Sequence, residues 1–329
     1  MKVAFFSSQP YMRQPFAEHN RGYDFDITWF EVRLEAQTAS LCQGFDAVCV
    51  FVNDKLDADV IATLASAGVR FIALRCAGYN NVDLDAARTA GIKVVRVPAY
   101  SPEAVAEHTV GLMLTLNRHI HKAYQRTRDA NFSLNGLVGF NMHGKTAGII
   151  GTGKIGLATL RILQGLGMKL LVHDPVENPE ALALGARYVS LEQLFREARV
   201  ISLHCPLLQD NYHLLCQKSF SQMQDGVMII NTSRGGLLNA VDAIEAINSG
   251  KIGALGLDVY EEEENLFFAD KSCEIIHDDT FHLLSTYPNV ILTGHQAFLT
   301  LEALTAIARV TLDNLQQLSR NQPCNNQIN

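Results

Sequence analysis

The sequence has 329 residues, of which 48% are apolar and 19% charged, and its formal net charge is −7. This composition excludes a disordered chain, and the length is enough for two domains with separate hydrophobic cores. The acidic balance argues against a nucleic-acid-binding protein and against a protein that binds anionic membranes, because both need clustered lysine and arginine. We therefore expect small molecules as the main partners.

The cysteines and the apolar segments indicate a cytoplasmic protein. The seven cysteines form no Cys-x-x-Cys pair, and their odd number gives no disulfide framework, so a reducing compartment is expected. The apolar run at residues 1–6 is too short for a secretory signal. Residues 280–301 lack charged side chains, but Pro288 and Gly294 interrupt them, so we interpret this stretch as a buried strand followed by a site loop and not as a membrane span.

Short apolar runs alternate with helical patterns, which is typical of parallel β-sheets covered by helices. The first hundred residues contain five candidate strands, at 2–6, 26–29, 47–52, 71–74 and 94–97. Ser101, Pro102 and Glu103 then give the start signals of a long helix, which we predict to continue to about residue 127 and to connect two domains.

The same alternation begins again at Thr146. Six further strands are predicted, at 147–150, 169–172, 200–203, 227–230, 254–257 and 290–292, and each ends at a polar residue or a glycine. In an open parallel sheet, ligands bind at the edge where the carboxyl ends of the strands meet. The sequence thus predicts an α/β protein with a ligand site at that edge, and the tail at 321–329, rich in asparagine and glutamine, is expected to be frayed.

The strongest motif is a glycine-rich loop between a predicted strand and an amphipathic helix at 157–166. It reads Gly151-Thr152-Gly153-Lys154-Ile155-Gly156. Such a loop lets a pyrophosphate approach the backbone and the free N–H groups of the helix N-terminus. Asp174 ends the next strand, 18 residues beyond Gly156, where its carboxylate can accept hydrogen bonds from ribose hydroxyls and repel a 2′-phosphate. The motif predicts NAD as the cofactor, against the alternative of an accidental glycine loop and a helix-capping aspartate.

Three residues at predicted strand ends have the chemistry that carbonyl reduction needs. Arg234 could bind a carboxylate through two parallel hydrogen bonds. His295 could give a proton to a ketone oxygen, and Glu263, one of four consecutive glutamates, could fix the tautomer of the imidazole and favour its charged form. Taken singly, the alternatives are a surface arginine, a structural histidine and a solvated acidic loop.

Together these segments resemble the D-isomer-specific 2-hydroxyacid dehydrogenase family, and within it most closely the fermentative D-lactate dehydrogenases of bacteria. The resemblance extends nearly from end to end. Besides the glycine motif it depends on residues 75–83, 97–102, 231–235, 256–261 and 294–297.

The resemblance implies two doubly wound parallel-sheet domains with a cleft between them. Residues 1–100 and 299–329 would form a discontinuous, flavodoxin-like catalytic domain, and residues 101–298 a Rossmann NAD-binding domain. It also implies the reaction: NADH reduces pyruvate to D-lactate reversibly, with His295 as the acid/base, Glu263 as its partner and Arg234 as the carboxylate clamp.

The resemblance further implies which residues contact each ligand. Those expected at the cofactor are Gly151, Gly153, Lys154, Ile155, Gly156, Asp174, Cys205, Pro206, Asn211, Thr232, Ser233, Arg234 and Asp258. Those expected at the substrate are Arg75, Ala77, Gly78, Tyr100, Arg234, His295 and Phe298. Asp258 would accept a hydrogen bond from the nicotinamide carboxamide, and Phe298 stands where some relatives have a tyrosine, which removes one polar contact.

His204, Cys205, His213 and Cys216 do not have zinc-finger spacing, so no metal is expected. The same chemistry on a longer 2-oxo acid stays open, and so does an NAD-sensing binding protein, since some relatives act as transcriptional corepressors. The family suggests a homodimer or homotetramer.

Overall fold

The computed structural model describes the backbone of residues 1–329 and every side chain except that of Asn265. The chain divides into two compact units, Met1–Ser101 with Leu299–Asn329, and Pro102–Phe298. Each unit contains its own parallel sheet, so the predicted fold class is confirmed. Within the described residues, no helix is long and apolar enough to cross a membrane.

The strands, in chain order, are β1 (Lys2–Phe5), β2 (Asp26–Trp29), β3 (Ala47–Val50), β4 (Phe71–Leu74), β5 (Lys93–Val95), β6 (Thr146–Ile150), β7 (Lys169–His173), β8 (Arg187–Tyr188), β9 (Val200–Leu203), β10 (Val227–Asn231), β11 (Ile252–Leu257) and β12 (Val290–Leu292). The α-helices are α1 (Pro10–Asn20), α2 (Ala58–Ser66), α3 (Leu84–Thr89), α4 (Pro102–Asn117), α5 (Ile120–Arg128), α6 (Lys154–Gly165), α7 (Pro179–Ala183), α8 (Leu191–Glu197), α9 (Gln217–Gln222), α10 (Ala240–Asn248), α11 (Asp279–Thr286) and α12 (Leu301–Ser319). Short 3-10 helices cover Ala39–Cys42, Gln209–Asn211, Gly235–Leu237 and Glu263–Asn265.

The first unit has a five-stranded sheet in the order β2-β1-β3-β4-β5, with every pair parallel. All residues of β3 and β4 are buried, as expected for central strands with both faces covered. The C-terminal tail is not frayed, contrary to the prediction. Ile328 N–H donates to the Val94 carbonyl, and the Asn329 side chain bonds both Val94 N–H, at 2.8 Å, and the Ile92 carbonyl, at 2.6 Å. The C-terminal residues whose composition suggested disorder thus bond backbone groups at and beside the edge strand β5.

The second unit has a seven-stranded sheet in the order β12-β11-β10-β9-β6-β7-β8, again parallel throughout. Successive residues of a strand enter opposite core layers. Ile149 packs in the layer that contains α4 and α6, whereas Ile150 packs in the layer formed with α8 and α10. This double burial explains why the strands are continuous apolar runs in the sequence.

The helix predicted to continue to about residue 127 is broken after α4. The buried side chain of Asn117 bonds the backbone of Phe140 at both N–H and C=O, and a Cβ on Gly139 would lie 2.2 Å from the Asn117 carbonyl oxygen. A second chain segment therefore crosses where the helix would have continued. His119 turns the backbone there, with a φ of 51°, and α5 begins at Ile120.

Two smaller differences concern the second sheet. The first part of the charge-free stretch at 280–301 is the helix α11, capped by the Asp278 carboxylate on Phe281 N–H, and only its second part is the predicted strand and loop. The two-residue edge strand β8 was not predicted, because its sequence is too short to show a period.

We predict that Asn329→Ala lowers the free energy of unfolding by about 1–2 kcal/mol, because it leaves Val94 N–H and the Ile92 carbonyl without their side-chain partners. Urea unfolding measures this. Asn325→Ala, at an exposed tail position, is the matched control and should change the value by less than about 0.5 kcal/mol. Equal values for both variants would show that the tail does not contribute to stability.

Candidate active site

The topology of the second sheet places a crevice between β6 and β9. The chain leaves β6 toward β7 on one side and returns through β9 on the other, so the loops after these two strands diverge. Such a switch point is where ligands bind in open parallel sheets. Gly151 follows β6 with a φ of 99°, and a Cβ there would lie 2.6 Å from Cys205 N. A Cβ on Gly156 would lie 2.0 Å from the Gly151 carbonyl oxygen. Both glycines are therefore required by close backbone packing.

Gly153 differs from its two neighbours. Among the described residues, no atom outside its two chain neighbours lies within 4 Å of where its Cβ would be, and it precedes α6 without a side-chain cap on the helix N–H groups. Lys154 and Ile155 form the first turn of that helix. Open space in front of uncapped N–H groups is what a diphosphate needs, so these residues fit a dinucleotide.

Asp174 lies one residue beyond β7 and fixes the glycine loop. Its carboxylate accepts hydrogen bonds from Thr152 N–H at 2.7 Å and from Val176 N–H at 3.0 Å. A carboxylate has about four acceptor positions, so two of them stay available to ribose hydroxyls. The loop geometry is therefore consistent with the predicted preference for NAD.

The loops after β9 and β10 are tied to each other. The Ser233 hydroxyl donates to the Cys205 carbonyl at 2.6 Å, and the buried Thr232 hydroxyl bonds Thr109 of α4 at 2.8 Å.

Burial raises the pKa of the Cys205 thiol to about 11, so it stays protonated and unreactive at neutral pH. Burial also lowers the pKa of His204 to about 4, which keeps this imidazole neutral beside the glycine loop.

Pro206 and Asn211 belong to a loop at residues 206–213 that borders the crevice. The Asn211 amide closes this loop on itself, accepting from Leu208 N–H at 2.7 Å and donating to the Pro206 carbonyl at 2.8 Å. The loop therefore keeps one shape although Pro206 and Leu208 are exposed.

Arg234 lies in a turn that Asn231, the last residue of β10, holds in place. The Asn231 side chain accepts from Ser233 N–H at 3.0 Å and donates to the Arg234 carbonyl at 2.8 Å. The guanidinium of Arg234 donates to the Ser233 carbonyl at 2.7 Å, and the side chain is partly exposed. A single bond to a backbone carbonyl leaves most of its five N–H donors for a ligand.

Glu263 and His295 form a hydrogen-bonded pair. Oε1 of Glu263 lies 2.8 Å from Nδ1 of His295, and the two side chains are 24% and 19% exposed. Oε2 of Glu263 accepts from Tyr260 N–H at 2.9 Å, which fixes the carboxylate. With Nδ1 bonded to the carboxylate, Nε2 is the nitrogen that is free for proton transfer.

Arg234, Glu263 and His295 follow three adjacent strands, β10, β11 and β12, at the same edge of the sheet. Three distant stretches of the sequence thus supply a cation, a carboxylate and an imidazole to one edge.

Asp258, which follows β11, bonds several groups of the loop after β12. Its carboxylate is fully buried and accepts from the Thr293 hydroxyl at 2.6 Å, from Gln296 N–H at 2.9 Å and from Ala297 N–H at 2.9 Å. Burial raises the pKa of Asp258, but the hydrogen bond with His108 and these three bonds outweigh burial and lower it, so the carboxylate stays charged. It holds the segment that carries His295.

The residues expected at the substrate differ in their burial and in their bonding partners. Arg75 is 1% exposed, donates to the Ser7 carbonyl at 2.8 Å and stacks on Phe5 and Phe51, so in this structure its side chain packs within the first unit.

Four other positions were expected at the substrate. The Ala77 and Gly78 carbonyls accept bonds from Arg96 and Cys76. Tyr100 is half-buried, whereas Phe298 is buried.

Sequence reasoning missed three members of the network around these loops. His108 of α4 lies 3.2 Å from the Thr293 hydroxyl, and His213 bonds Glu261 at 2.6 Å. The sequence suggested a solvated acidic loop here, but Glu261 is partly buried and bonded to His213. No local pattern marks it, because its partner lies 48 residues away in the chain. Among the described side chains no cluster suited to a metal ion is present.

We predict that Gly153→Ala weakens NADH binding at least about tenfold without lowering the thermal midpoint, because the added methyl group meets no protein atom but occupies the space in front of the α6 N-terminus. Fluorescence titration and thermal unfolding measure the two quantities. Gly165→Ala, in the same helix and also with open space around its Cβ, is the control and should bind NADH as the unaltered protein does. Normal affinity in Gly153→Ala would exclude this loop as the phosphate site.

Comparison with known proteins identifies close relatives along the whole chain. The D-lactate dehydrogenase of Escherichia coli is 57% identical over 328 residues, covering 100% of both chains. Its apo-structure superposes with a TM-score of 0.92, over 100% of both chains. The pyruvate reductase of Chlamydomonas reinhardtii has a TM-score of 0.94 at 44% identity, covering 99% of this chain and 98% of that one. The D-lactate dehydrogenase of Lactobacillus jensenii, solved with NAD⁺, has a TM-score of 0.85 at 29% identity and covers both chains fully.

The family model that matches describes the NAD-binding domain of D-isomer specific 2-hydroxyacid dehydrogenases, and it aligns with residues 110–297. The matched region contains the glycine loop, Asp174 and the strand ends that carry Arg234, Glu263 and His295. NAD is the cofactor, and the residues around Gly153 fit it. The chain belongs to the family of NAD-dependent D-isomer specific 2-hydroxyacid dehydrogenases.

Proposed function

We propose that the protein is a D-lactate dehydrogenase that reduces pyruvate to D-lactate with NADH. The observation that carries the proposal is the hydrogen bond of 2.8 Å between Glu263 and His295 at the ligand edge of an NAD-binding sheet. The high identity to the Escherichia coli D-lactate dehydrogenase supports this substrate.

His295 supplies the proton in this reaction. NADH, when bound, supplies the hydride that C2 of the 2-oxo acid receives. In the charged imidazolium, Nδ1–H donates to Glu263 while Nε2–H donates to the carbonyl oxygen, which takes the proton and becomes the hydroxyl group. The Glu263 carboxylate stabilises the charged ring before the transfer and keeps Nδ1 protonated after it. In the direction of lactate oxidation, the neutral ring accepts the same proton at Nε2.

Arg234 holds the substrate carboxylate. Its bond to the Ser233 carbonyl is a neutral-acceptor bond, whereas a carboxylate offers two charged oxygens to the planar guanidinium. We infer that, when substrate binds, the Arg234 guanidinium leaves the Ser233 carbonyl and bonds the substrate carboxylate. The bidentate pair then fixes the acid in the crevice.

We also propose a homodimer or homotetramer that acts in fermentation in the cytoplasm. All seven cysteines are free thiols, which agrees with a reducing compartment. Large apolar side chains are exposed on α5 and the segment after it, which agrees with a surface covered by a second copy: Ile120, Tyr124, Phe132, Leu134 and Val138.

The proposed substrate is tested by following NADH oxidation with pyruvate, 2-oxobutyrate, 2-oxoisocaproate and hydroxypyruvate. We predict the highest kcat/KM with pyruvate and a product that is D-lactate in a stereospecific assay. A higher value with 2-oxoisocaproate would assign a longer 2-oxo acid instead. Tight NADH binding without turnover of any of the four would indicate an NAD sensor.

The catalytic roles predict different kinetic signatures for two variants. His295→Gln should lower kcat for pyruvate reduction by about two to four orders of magnitude and leave the Kd for NADH unchanged, because it removes only the proton donor. Arg234→Lys should lower kcat/KM by about two orders of magnitude, since a lysine cannot form the bidentate pair. His282→Gln, at an exposed site on α11, is the control. A His295→Gln variant with normal kcat would refute the assignment of the acid/base.

A further inference from the structure

A second carboxylate–histidine pair lies beside the catalytic one. Oε1 of Glu261 lies 2.6 Å from Nε2 of His213 and also accepts a hydrogen bond from the Tyr212 hydroxyl. The Glu261 side chain is only 20% exposed, and the bond raises the pKa of Tyr212, so that this hydroxyl stays a donor. One carboxylate oxygen thus binds two consecutive residues at the end of the 206–213 loop.

The tautomer of His213 follows from its second partner. Oδ1 of Asn239 caps α10 by accepting from Asp242 N–H at 3.0 Å, so Nδ2 is the atom that faces Nδ1 of His213 at 3.2 Å. An amide nitrogen is only a donor, and Nδ1 must therefore accept. The ring proton is then on Nε2, where it donates to Glu261. Asn239, His213 and Glu261 form a directed chain of hydrogen bonds.

The same residues contact the turn that carries Arg234. The backbone N–H of His213 donates to the Gly236 carbonyl at 2.8 Å. A Cβ on Gly236 would lie 3.1 Å from the Tyr212 ring. A Cβ on Gly235 would lie 2.2 Å from the Tyr260 carbonyl group, so the turn also packs against the backbone that leads to Glu263. Three loops, after β9, β10 and β11, meet at this point.

Packing alone does not hold the 206–213 loop there. Leu207 packs against the hydrophobic core, but Leu208 and Tyr212 are 59% and 53% exposed, so apolar burial fixes only part of the loop. His213 adopts a left-handed backbone with a φ of 54°, a conformation that costs free energy for a non-glycine residue. The polar bonds to Glu261, Asn239 and Gly236 must offset that cost.

We propose that Glu261 and His213 are positioning residues that hold the 206–213 loop at the cofactor crevice and thereby set the affinity for NADH. The loop directly follows His204 and Cys205, which pack against Gly151, so its position defines one wall of the switch-point crevice. The inference rests on the proposed cofactor site but not on the proposed substrate.

The test is a set of variants measured by NADH fluorescence titration, steady-state kinetics and thermal unfolding. Glu261→Ala removes the shared acceptor, and Glu261→Gln keeps an acceptor oxygen. His213→Asn removes the imidazole but suits the left-handed backbone, which asparagine tolerates. Asp225→Ala, which breaks the exposed ion pair with Lys251 in the loop that precedes β10, is the control.

We expect the Kd for NADH to rise about tenfold in Glu261→Ala and His213→Asn, to rise no further in the double variant, and to stay within about twofold of normal in Glu261→Gln. The value of kcat at saturating NADH should change less than Kd does, and the thermal midpoint of the apo-protein should fall by about 2–3 °C at most. Additive effects in the double variant, an unchanged Kd, or an equal effect in Asp225→Ala would overturn the proposal. Because Kd is measured without a 2-oxo acid, the result stands whichever substrate is turned over.

Discussion

The buried carboxylate of Asp258 is the interaction on which the site depends. It is charged and enclosed, a state that is costly unless its oxygens are bonded, and the bonds come from Thr293, Gln296 and Ala297. The Asp258 carbonyl also accepts from His295 N–H at 2.7 Å, and His295 has a φ of 52°. The residue that follows β11 thus fixes the backbone after β12 in a strained conformation. Glu263 then needs only to bond the imidazole that this backbone presents.

Two hydrogen-bond networks therefore organise the edge of one sheet. The first leads from Asp258 through the backbone of residues 293–297 to the Glu263–His295 pair. The second leads from Asn239 through His213 to Glu261 and reaches the loop beside Gly151. Glu261 and Glu263 are two residues apart, so one short loop joins the Glu263–His295 pair to the cofactor crevice. Arg234 lies between the two networks. The glycines that follow it, Gly235 and Gly236, allow the Tyr260 backbone and the Tyr212 ring to pack closely against its turn.

Much of this arrangement could be predicted from the sequence. Apolar runs that end at polar residues gave both sheets, and Gly151, Gly156 and Asp174 lie where the spacing required. The contacts that could not be predicted have one physical cause: a residue type alone does not show which group of the protein its side chain bonds. Arg75 bonds a backbone carbonyl of its own unit, Asp258 bonds three groups of a neighbouring loop, and Glu261 pairs with a histidine far along the chain.

In the proposed reaction, Nε2 of His295 faces the reacting oxygen while Nδ1 stays bonded to Glu263. A crystal structure with NADH and oxamate, which resembles pyruvate, tests it most directly. We expect Nε2 within about 3.2 Å of the oxamate carbonyl oxygen, with the Arg234 guanidinium bidentate on the oxamate carboxylate. An imidazole turned away from the ligand, or an Arg234 still bonded to Ser233 while other groups hold the carboxylate, would contradict it.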